Sequence, residues 1–453
     1  MFIGRIEELN EIKEFIEGND KSLLLYGKRR VGKTELLKQG IKNNYVYFEC
    51  IKDTLKNNVS SFLKSLQEAK ILDISIEANT FIDVFSLLKV VNSNACIIID
   101  EYPYLYAYSD SLLIDSHFQK IIDELLVNNK LIICGSNVKV MTSLLQRDNA
   151  LYGRFGKTMF LDELTYLEAQ EFYKDKSIYD KIAFYSVFGG SPYLNLEIDP
   201  NLSLEENIKR TFLKENSNTY QYCYNLYFTD VPSSLNINSI CDVLKNGKKT
   251  CSQIESFLNI DKNGGMNKKL DLLVRMNLIS KYQPINKLNN PKATKYEIDD
   301  NAMRFFYSFV YKNKSILKTI GSDRFYKEYV SSSIVTFISH RFEEQVRKYI
   351  SYSIKKGKFD DVINVGTYYY DDSLNKTNGE FDVALKIKGD KYRIIEVKYY
   401  KDNILTLKEM IEENEQIKRI KEIGIDSVAF LSASGYEANE EFECLDVADL
   451  YEE

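Results

Sequence analysis

Between an apolar run and a helix-forming stretch the chain reads Gly27-Lys28-Arg29-Arg30-Val31-Gly32-Lys33-Thr34, a G-x4-G-K-T pattern that continues into Glu35. Few folds can use such a segment. Its glycines let the backbone wrap a phosphate, and amides at the start of the following helix converge on the same point. Lys33 is then placed to bridge the outer phosphates and Thr34 to ligate Mg²⁺. The cradle therefore predicts a sheet with a strand before it and a helix after it.

The surrounding sequence supplies that sheet. SLLLYG (22–27), YVYFECI (45–51), ACIIID (95–100), LIICGS (131–136) and MFLDEL (159–164) are short continuous apolar runs separated by helix-length segments. This is the pattern of a parallel sheet covered on both faces. The third run ends in Asp100-Glu101, where one acid can hold the Mg²⁺ shell and the next can orient an attacking water. Ser136 and Asn137 end the fourth run, where they can contact the γ-phosphate or simply cap a turn. Arg154 is a candidate arginine finger or lid sensor; acting from a neighbouring copy, it would imply a homo-oligomer.

Composition narrows the class. Only 6 prolines and 20 glycines occur among 453 residues, which excludes collagen-like and low-complexity chains. No apolar run is long enough to span a bilayer, and the acidic start MFIGRIEELNEIKEF is unlike a secretory signal. These features imply a soluble, cytoplasmic protein with no membrane partner. The 7 cysteines are scattered without a CxxC pair and read as small buried hydrophobes. Two lone histidines, His117 and His340, make a histidine-based metal or triad mechanism improbable. The chain carries a net charge of −6, yet residues 236–320 hold 15 Lys and Arg against 7 Asp and Glu. A basic block inside an acidic chain is a local electrostatic footprint.

That block reads as three short helices and a hairpin. INSICDVL has helical apolar spacing, and Thr250 caps CSQIESFLN. Asn263-Gly264-Gly265 marks a turn, and MNKKLDLLVRMNLI buries Leu270, Leu273 and Met276. LISKYQPI and TKYEI then pair as a wing. The arrangement resembles a winged helix-turn-helix. It implies that Asn267, Lys268 and Lys269 enter a major groove of double-stranded DNA, while Lys287, Lys292 and Lys295 meet phosphates.

The last third carries GEFDVALKIKGDKYRIIEVKYY, two alternating strands around Gly389-Asp390. They present Asp382 and, fourteen residues on, Glu396-x-Lys398. Two carboxylates can hold Mg²⁺, and a lysine two residues away shares a strand face with the second. A strict two-residue turn would set Asp382 opposite Val397, facing away from Glu396. A shared metal therefore requires an odd-length loop or a bulge. Upstream, SHRFEEQVRKYI can supply another acid, Glu343, with Glu344 about 100° around the helix. Glu380 is a candidate extra ligand and Gln416 a candidate phosphate contact. The set resembles the PD-(D/E)XK nuclease core, with Phe381 in place of the motif's proline.

FIGRIEEL, GKRRVGKTELL, IIIDEYPYL, IICGSN and FGGSPYLNL together resemble the archaeal-type AAA+ ATPases, a family also found in bacteria. The resemblance implies an α/β multidomain chain using ATP and Mg²⁺, with Phe2, Ile3, Gly4 and Arg5 near the adenine. It also implies a P-loop core (1–158), a helical lid (159–232), a winged helix-turn-helix (233–320) and a nuclease-like domain (321–453). Within the lid, the Gly189-Gly190-x-Pro192 stretch is expected to be structural. The leading expectation is an ATP-hydrolysing, DNA-associated protein with a Mg²⁺-dependent endonuclease domain, in mobile-element or defence biology. The alternatives are an ATP-dependent oligomeric switch with a non-catalytic last domain, and a plain transcription regulator.

Overall fold

The computed structural model describes residues 2–452 apart from 73–76, 231–235, 261–263, 289, 373–376, 390 and 421–422. Asn263 and Asp390 of the two expected turns therefore lie outside the described residues. The chain divides into two compact units. One comprises Met1–Leu164, Ser191–Tyr193 and Arg275–Asn277; the other comprises Thr165–Gly190, Leu194–Val274 and Leu278–Glu453.

All five apolar runs of the first unit are strands: β1 (Ser22–Tyr26), β2 (Tyr45–Glu49), β3 (Cys96–Asp100), β4 (Lys130–Gly135) and β5 (Lys157–Phe160). They form one parallel sheet in the order β2-β3-β4-β1-β5. The runs are continuously apolar because both faces are covered. Leu23, Leu25, Ile98, Ile132 and Cys134 pack with Ile12 and Phe15 of the Ile6–Glu17 helix and with Leu36 and Leu37 of the Lys33–Gly40 helix. The alternate residues Leu24, Ile97, Ile99, Leu131 and Ile133 pack on the other side with Phe62, Phe81, Phe85 and Phe118. Two consequences matter for function. The carboxyl ends of all five strands share one edge, and β4 stands between β1 and β3.

The second unit opens with helices, among them Ile178–Phe188, Leu204–Thr211 and Asn218–Asp230. The basic block follows as the Ile237–Leu244, Cys251–Phe257 and Gly265–Arg275 helices with β6 (Lys249–Thr250), β7 (Ile279–Tyr282) and β8 (Lys295–Ile298). Thr250 caps its helix in a reciprocal box with Gln253. The three strands pair antiparallel in the order β6-β8-β7.

The last part is a mixed sheet in the order β13-β12-β11-β10-β9. Its strands are β9 (Val362–Asp372), β10 (Thr377–Ile387), β11 (Lys391–Lys398), β12 (Ile425–Ser432) and β13 (Glu443–Leu445). β10 pairs antiparallel with both β9 and β11, and β12 and β13 run parallel to β11. The Ile334–Lys355 helix precedes the sheet and buries Ile338, Phe342, Val346 and Ile350; the Leu407–Lys418 helix crosses between β11 and β12.

The wing hairpin is docked on this sheet. The Ile285 amide donates to the Thr367 carbonyl at 2.8 Å, and Asn286 exchanges two hydrogen bonds with the Tyr369 backbone at 2.7 and 3.1 Å. Beside it, Glu297 of β8 has no exposed surface and accepts from both Arg304 and, at 3.1 Å, Arg341 of the Ile334–Lys355 helix. Arg341 also reaches Glu344 at 2.8 Å, and Glu344 reaches Lys348 at 2.9 Å. Burial alone would raise the Glu297 carboxyl, but the two guanidinium groups hold it below the usual carboxylate range. Glu297→Ala leaves two buried guanidinium groups without their shared anion, an expected loss of about 3–5 kcal/mol. A lower urea midpoint for the second unit, followed by tyrosine fluorescence, would register it; an unchanged midpoint would refute the account.

Candidate functional site

The cradle follows β1 with little freedom. A Cβ at Gly27 would meet the Leu161 carbonyl oxygen at 2.1 Å, and Gly32 has φ +95°, so both glycines are required by geometry. Lys33 folds back and donates to the carbonyls of Gly27 and Lys28, each at 2.9 Å. The Thr34 hydroxyl donates to Asp100 Oδ2 at 3.0 Å, although the two residues are 66 positions apart. The Tyr47 hydroxyl donates to the same oxygen at 2.6 Å, and the Glu101 amide to Asp100 Oδ1 at 2.8 Å. Burial and the neighbouring Asp100 carboxylate push the Tyr47 phenol well up, so it stays a donor. Nothing in the sequence singled out Tyr47; its place opposite Ile98, two residues before Asp100, follows from the β2–β3 register.

Glu101 sits in the left-handed region, φ 49° and ψ 43°, a conformation that costs a non-glycine residue free energy and gathers at functional sites. Its carboxylate accepts from the Ser136 hydroxyl at 2.9 Å and the Ser136 amide at 3.3 Å. Ser136 in turn accepts from Arg29 Nε at 3.4 Å, and Arg29 Nη2 reaches the Tyr104 hydroxyl at 2.9 Å. Asn137 caps the next helix by accepting from the Val140 amide, the cheaper of the two roles open to it. Arg30, at φ 67°, lies over the Tyr193 ring at 3.9 Å, and Lys28 stands 3.8 Å from Glu163. Val31 is buried; Glu35 is exposed and accepts from Gln39, away from the cradle.

Phe2 packs on the sheet core, and Ile3 and Gly4 are half-buried beside it. Arg5 is committed to the protein itself. It is buried and donates to Glu8 at 2.8 Å, to the Val31 carbonyl at 3.1 Å and to the Asp162 carbonyl at 2.5 Å. Its guanidinium braces the cradle against the end of β5. Arg154 stands apart from the cradle of its own chain. It precedes β5 at the amino edge of the sheet, where its carbonyl accepts from Ser22 and its guanidinium binds Asp123 at 3.0 Å. The cradle lies at the opposite edge, so within its own chain Arg154 does not meet it.

In the second unit, pairing of Ile387 with Lys391 leaves a three-residue connection, with Gly389 at φ +84°. This is the odd loop that a shared metal requires. Carried two residues beyond the Ala384–Ile394 pair, the register sets Asp382 opposite Glu396, on a stretch where β10 bulges against β9. Glu343 bears on both acids. Burial first, then Glu343, pushes the Asp382 carboxyl up to about 6, and burial, with Glu413 and Glu343 adding, raises Glu396. The upstream acid is thus Glu343; Glu344, on another side of its helix, is taken by Arg341 and Lys348. His340 stands 3.8 Å from Glu343, which raises the imidazole's proton affinity.

Cations already face these acids. Lys398 bridges Glu396 at 2.8 Å and Glu413 at 2.7 Å. Glu413 was not anticipated; it lies one helical turn before Gln416, which is exposed and points no contact at the acids. Glu380 is paired with Lys295 and with Lys248 at 3.5 Å, and these two cations lower its proton affinity against burial. Lys295 is therefore bound to a carboxylate where a phosphate contact was expected, and Glu380 is an ion-pair partner where a metal ligand was expected. Among the described residues no three acid, cysteine or histidine side chains stand close enough together to hold a metal ion. Asn267 and Lys268 are exposed at the start of their helix with Lys269 half-buried, and Lys287 and Lys292 are exposed on the wing. Among the described residues no helix is long and apolar enough to cross a membrane.

A triphosphate cradle between β1 and its helix, with β4 inserted between the cradle strand and the acid strand, places the first unit among the P-loop ATPases. Residues 2–197 match the family described as an ATPase domain predominantly from Archaea, and residues 306–419 match a family of archaeal and bacterial proteins of unknown function. The chain thus carries an archaeal-type ATPase domain followed by that second domain. An uncharacterized protein of Methanocaldococcus jannaschii is 25% identical over 412 residues, 88% of each chain. The Walker-type ATPase of Pyrococcus abyssi covers 68% of this chain and 96% of its own, at 17% identity and a TM-score of 0.52, a likeness of fold. The Aeropyrum pernix ORC2 protein covers 70% and 94%, at 11% identity and a TM-score of 0.46.

Lys33→Ala removes the ammonium expected to turn to the outer phosphates and should weaken ATP binding by about tenfold or more. Arg154→Ala, at the far edge, should leave it within about twofold. Calorimetric titration of the full chain decides; equal losses in both variants would contradict this placement.

Proposed function

We propose that the chain binds and hydrolyses ATP with Mg²⁺, and that it acts on double-stranded DNA through a Mg²⁺-dependent phosphodiester-cleaving site on β10 and β11. For the first half, the carrying observation is the Thr34–Asp100 contact, which brings a hydroxyl and a carboxylate together beside the cradle before any ion binds. These two fit Mg²⁺, which when bound offsets charge on the phosphates. Lys33 would leave the Gly27 and Lys28 carbonyls for the outer phosphates, and Glu101, held by Ser136, would orient the attacking water.

For the second half, the carrying observation is Glu343, which bears on both Asp382 and Glu396, two acids that the β10–β11 register, continued two residues past the Ala384–Ile394 pair, would set across from each other. Crowded, partly buried carboxylates with raised proton affinity are a donor set that a divalent cation relieves, and so they fit Mg²⁺. There Asp382 and Glu396 would hold the ion, and Lys398 would face a water or the scissile phosphate. The strand order, with one helix before the sheet and one between β11 and β12, agrees with the nuclease-like resemblance. The exposed Asn267 and Lys268 and the wing residues Lys287 and Lys292 would meet the duplex.

A specific observation favours a second reading, an ATP-dependent switch whose last domain clamps nucleic acid without cutting it. Every acid of the face except Glu343 already has a lysine partner. One experiment separates the two: plasmid and short duplexes with Mg²⁺, with and without ATP, scored for phosphate release and strand breaks. Cutting that Glu396→Gln abolishes while phosphate release persists establishes the nuclease. Intact DNA with wild-type protein, phosphate release persisting, establishes the switch. The nuclease reading also fixes a pH dependence. Asp382 must be ionised to hold the ion and takes up a proton near pH 6, so cleavage should fall as pH drops through about 6. At Mg²⁺ well below saturation, where proton and ion compete for the carboxylate, a rate unchanged from pH 8 to about 5 would argue against Asp382 as a ligand.

A further inference from the structure

The acid face is covered from outside its own sheet. Lys248 immediately precedes β6, and its ammonium stands 3.5 Å from Glu380 and 3.9 Å from Asp382. Lys295, which opens β8, is paired with the other oxygen of Glu380. The two lysines come from neighbouring strands of the three-stranded sheet, where Thr250 pairs with Lys295. Their side chains are only 15% and 24% exposed, and each also lies near a tyrosine ring, Tyr282 or Tyr369. The placement is enforced twice, by the backbone bonds of Ile285 and Asn286 to β9 and by Glu297 between Arg304 and Arg341.

Lysines of a DNA-binding module are ordinarily turned outward to phosphates. Here two of them neutralise carboxylates of the neighbouring sheet. An ammonium and a divalent cation cannot both occupy one carboxylate pocket without mutual repulsion. We propose that Lys248 and Lys295 are a built-in counter-cation over the acid face, which a divalent ion must displace, and that duplex DNA opens the face by drawing the two ammonium groups onto its phosphates. The inference rests on the metal-site reading above and names its regulation. Metal and duplex then bind cooperatively, and the coupling is reciprocal: each tightens the other by the same factor. The ion is excluded until the polyanion arrives.

The test reads metal, not cutting. Free Mn²⁺ is followed by electron paramagnetic resonance with the full chain, without nucleotide, with and without a short duplex. The signal of the Asp382→Asn/Glu396→Gln double variant is subtracted as background. Lys248→Met should bind Mn²⁺ on the order of tenfold more tightly than wild type without DNA. Lys248→Arg, which keeps the charge, should stay near wild type. Adding duplex should tighten wild type but hardly change Lys248→Met. Lys295→Met, which leaves Asp382 its lysine, should shift in the same direction by less. Equal or weaker Mn²⁺ binding by a folded Lys248→Met chain overturns the counter-cation while leaving the metal site standing. No binding above background in any variant, with or without duplex, overturns the metal-site reading and the counter-cation with it.

Discussion

Glu297 is a fully buried anion between two guanidinium groups, one from the segment after β8 and one from the long Ile334–Lys355 helix. Separating β8 from that helix would leave charge uncompensated in a low-dielectric interior, where the penalty far exceeds that of a surface pair. The arrangement of the second unit follows from this constraint. The basic module cannot swing away from the mixed sheet, so its hairpin lies against β9 and its lysines fall over β10. The same helix that supplies Arg341 to Glu297 supplies Glu343 to the acid face two residues later. A helix advances about 100° per residue, so adjacent glutamates serve different neighbours: Glu344 completes the buried network, and Glu343 looks toward Asp382 and Glu396.

In the first unit the constraint is strand order. Parallel strands deliver their carboxyl ends to one edge, and inserting β4 between β1 and β3 brings Ser136 between the cradle and Glu101. Three non-glycine residues with positive φ, Arg5, Arg30 and Glu101, lie in or beside the cradle and its acids. Each is held by something specific: Arg5 by backbone carbonyls, Arg30 by its stacking on Tyr193, and Glu101 by Ser136. Strain concentrated where phosphates bind, and over-determined by the surroundings, is the expected signature of a preorganised site.

How much could be read in advance depended on the range of the interaction. The five strands, the cradle and the Thr250 cap rest on local spacing, and they were legible. The hairpin was legible as a pair of alternatives, since parity allows Asp382 to face Glu396 through an odd loop or a bulge, and the connection is the odd one. Tyr47, Tyr193, Glu413 and Lys248 were not legible, because each acts on a residue far away in sequence and carries no motif of its own. Arg154 and Lys295 show the converse. A lone arginine or lysine gives its charge to the sequence reader but not its partner, and here the partners are Asp123 and Glu380.

The two acid sites differ in how their carboxylates are satisfied, and this difference bears on function. Asp100 is held by neutral donors, the hydroxyls of Thr34 and Tyr47 and the amide of Glu101. Neutral donors fix a carboxylate's orientation while leaving its charge available to a cation. Asp382, Glu380 and Glu396 are held by ammonium groups, which fix orientation and cancel charge together. The first site therefore presents a carboxylate whose charge is not cancelled. The second, if it binds a metal as proposed, must first lose a cation, so its affinity would depend on whatever competes for its lysines, and the phosphates of a duplex are a strong competitor.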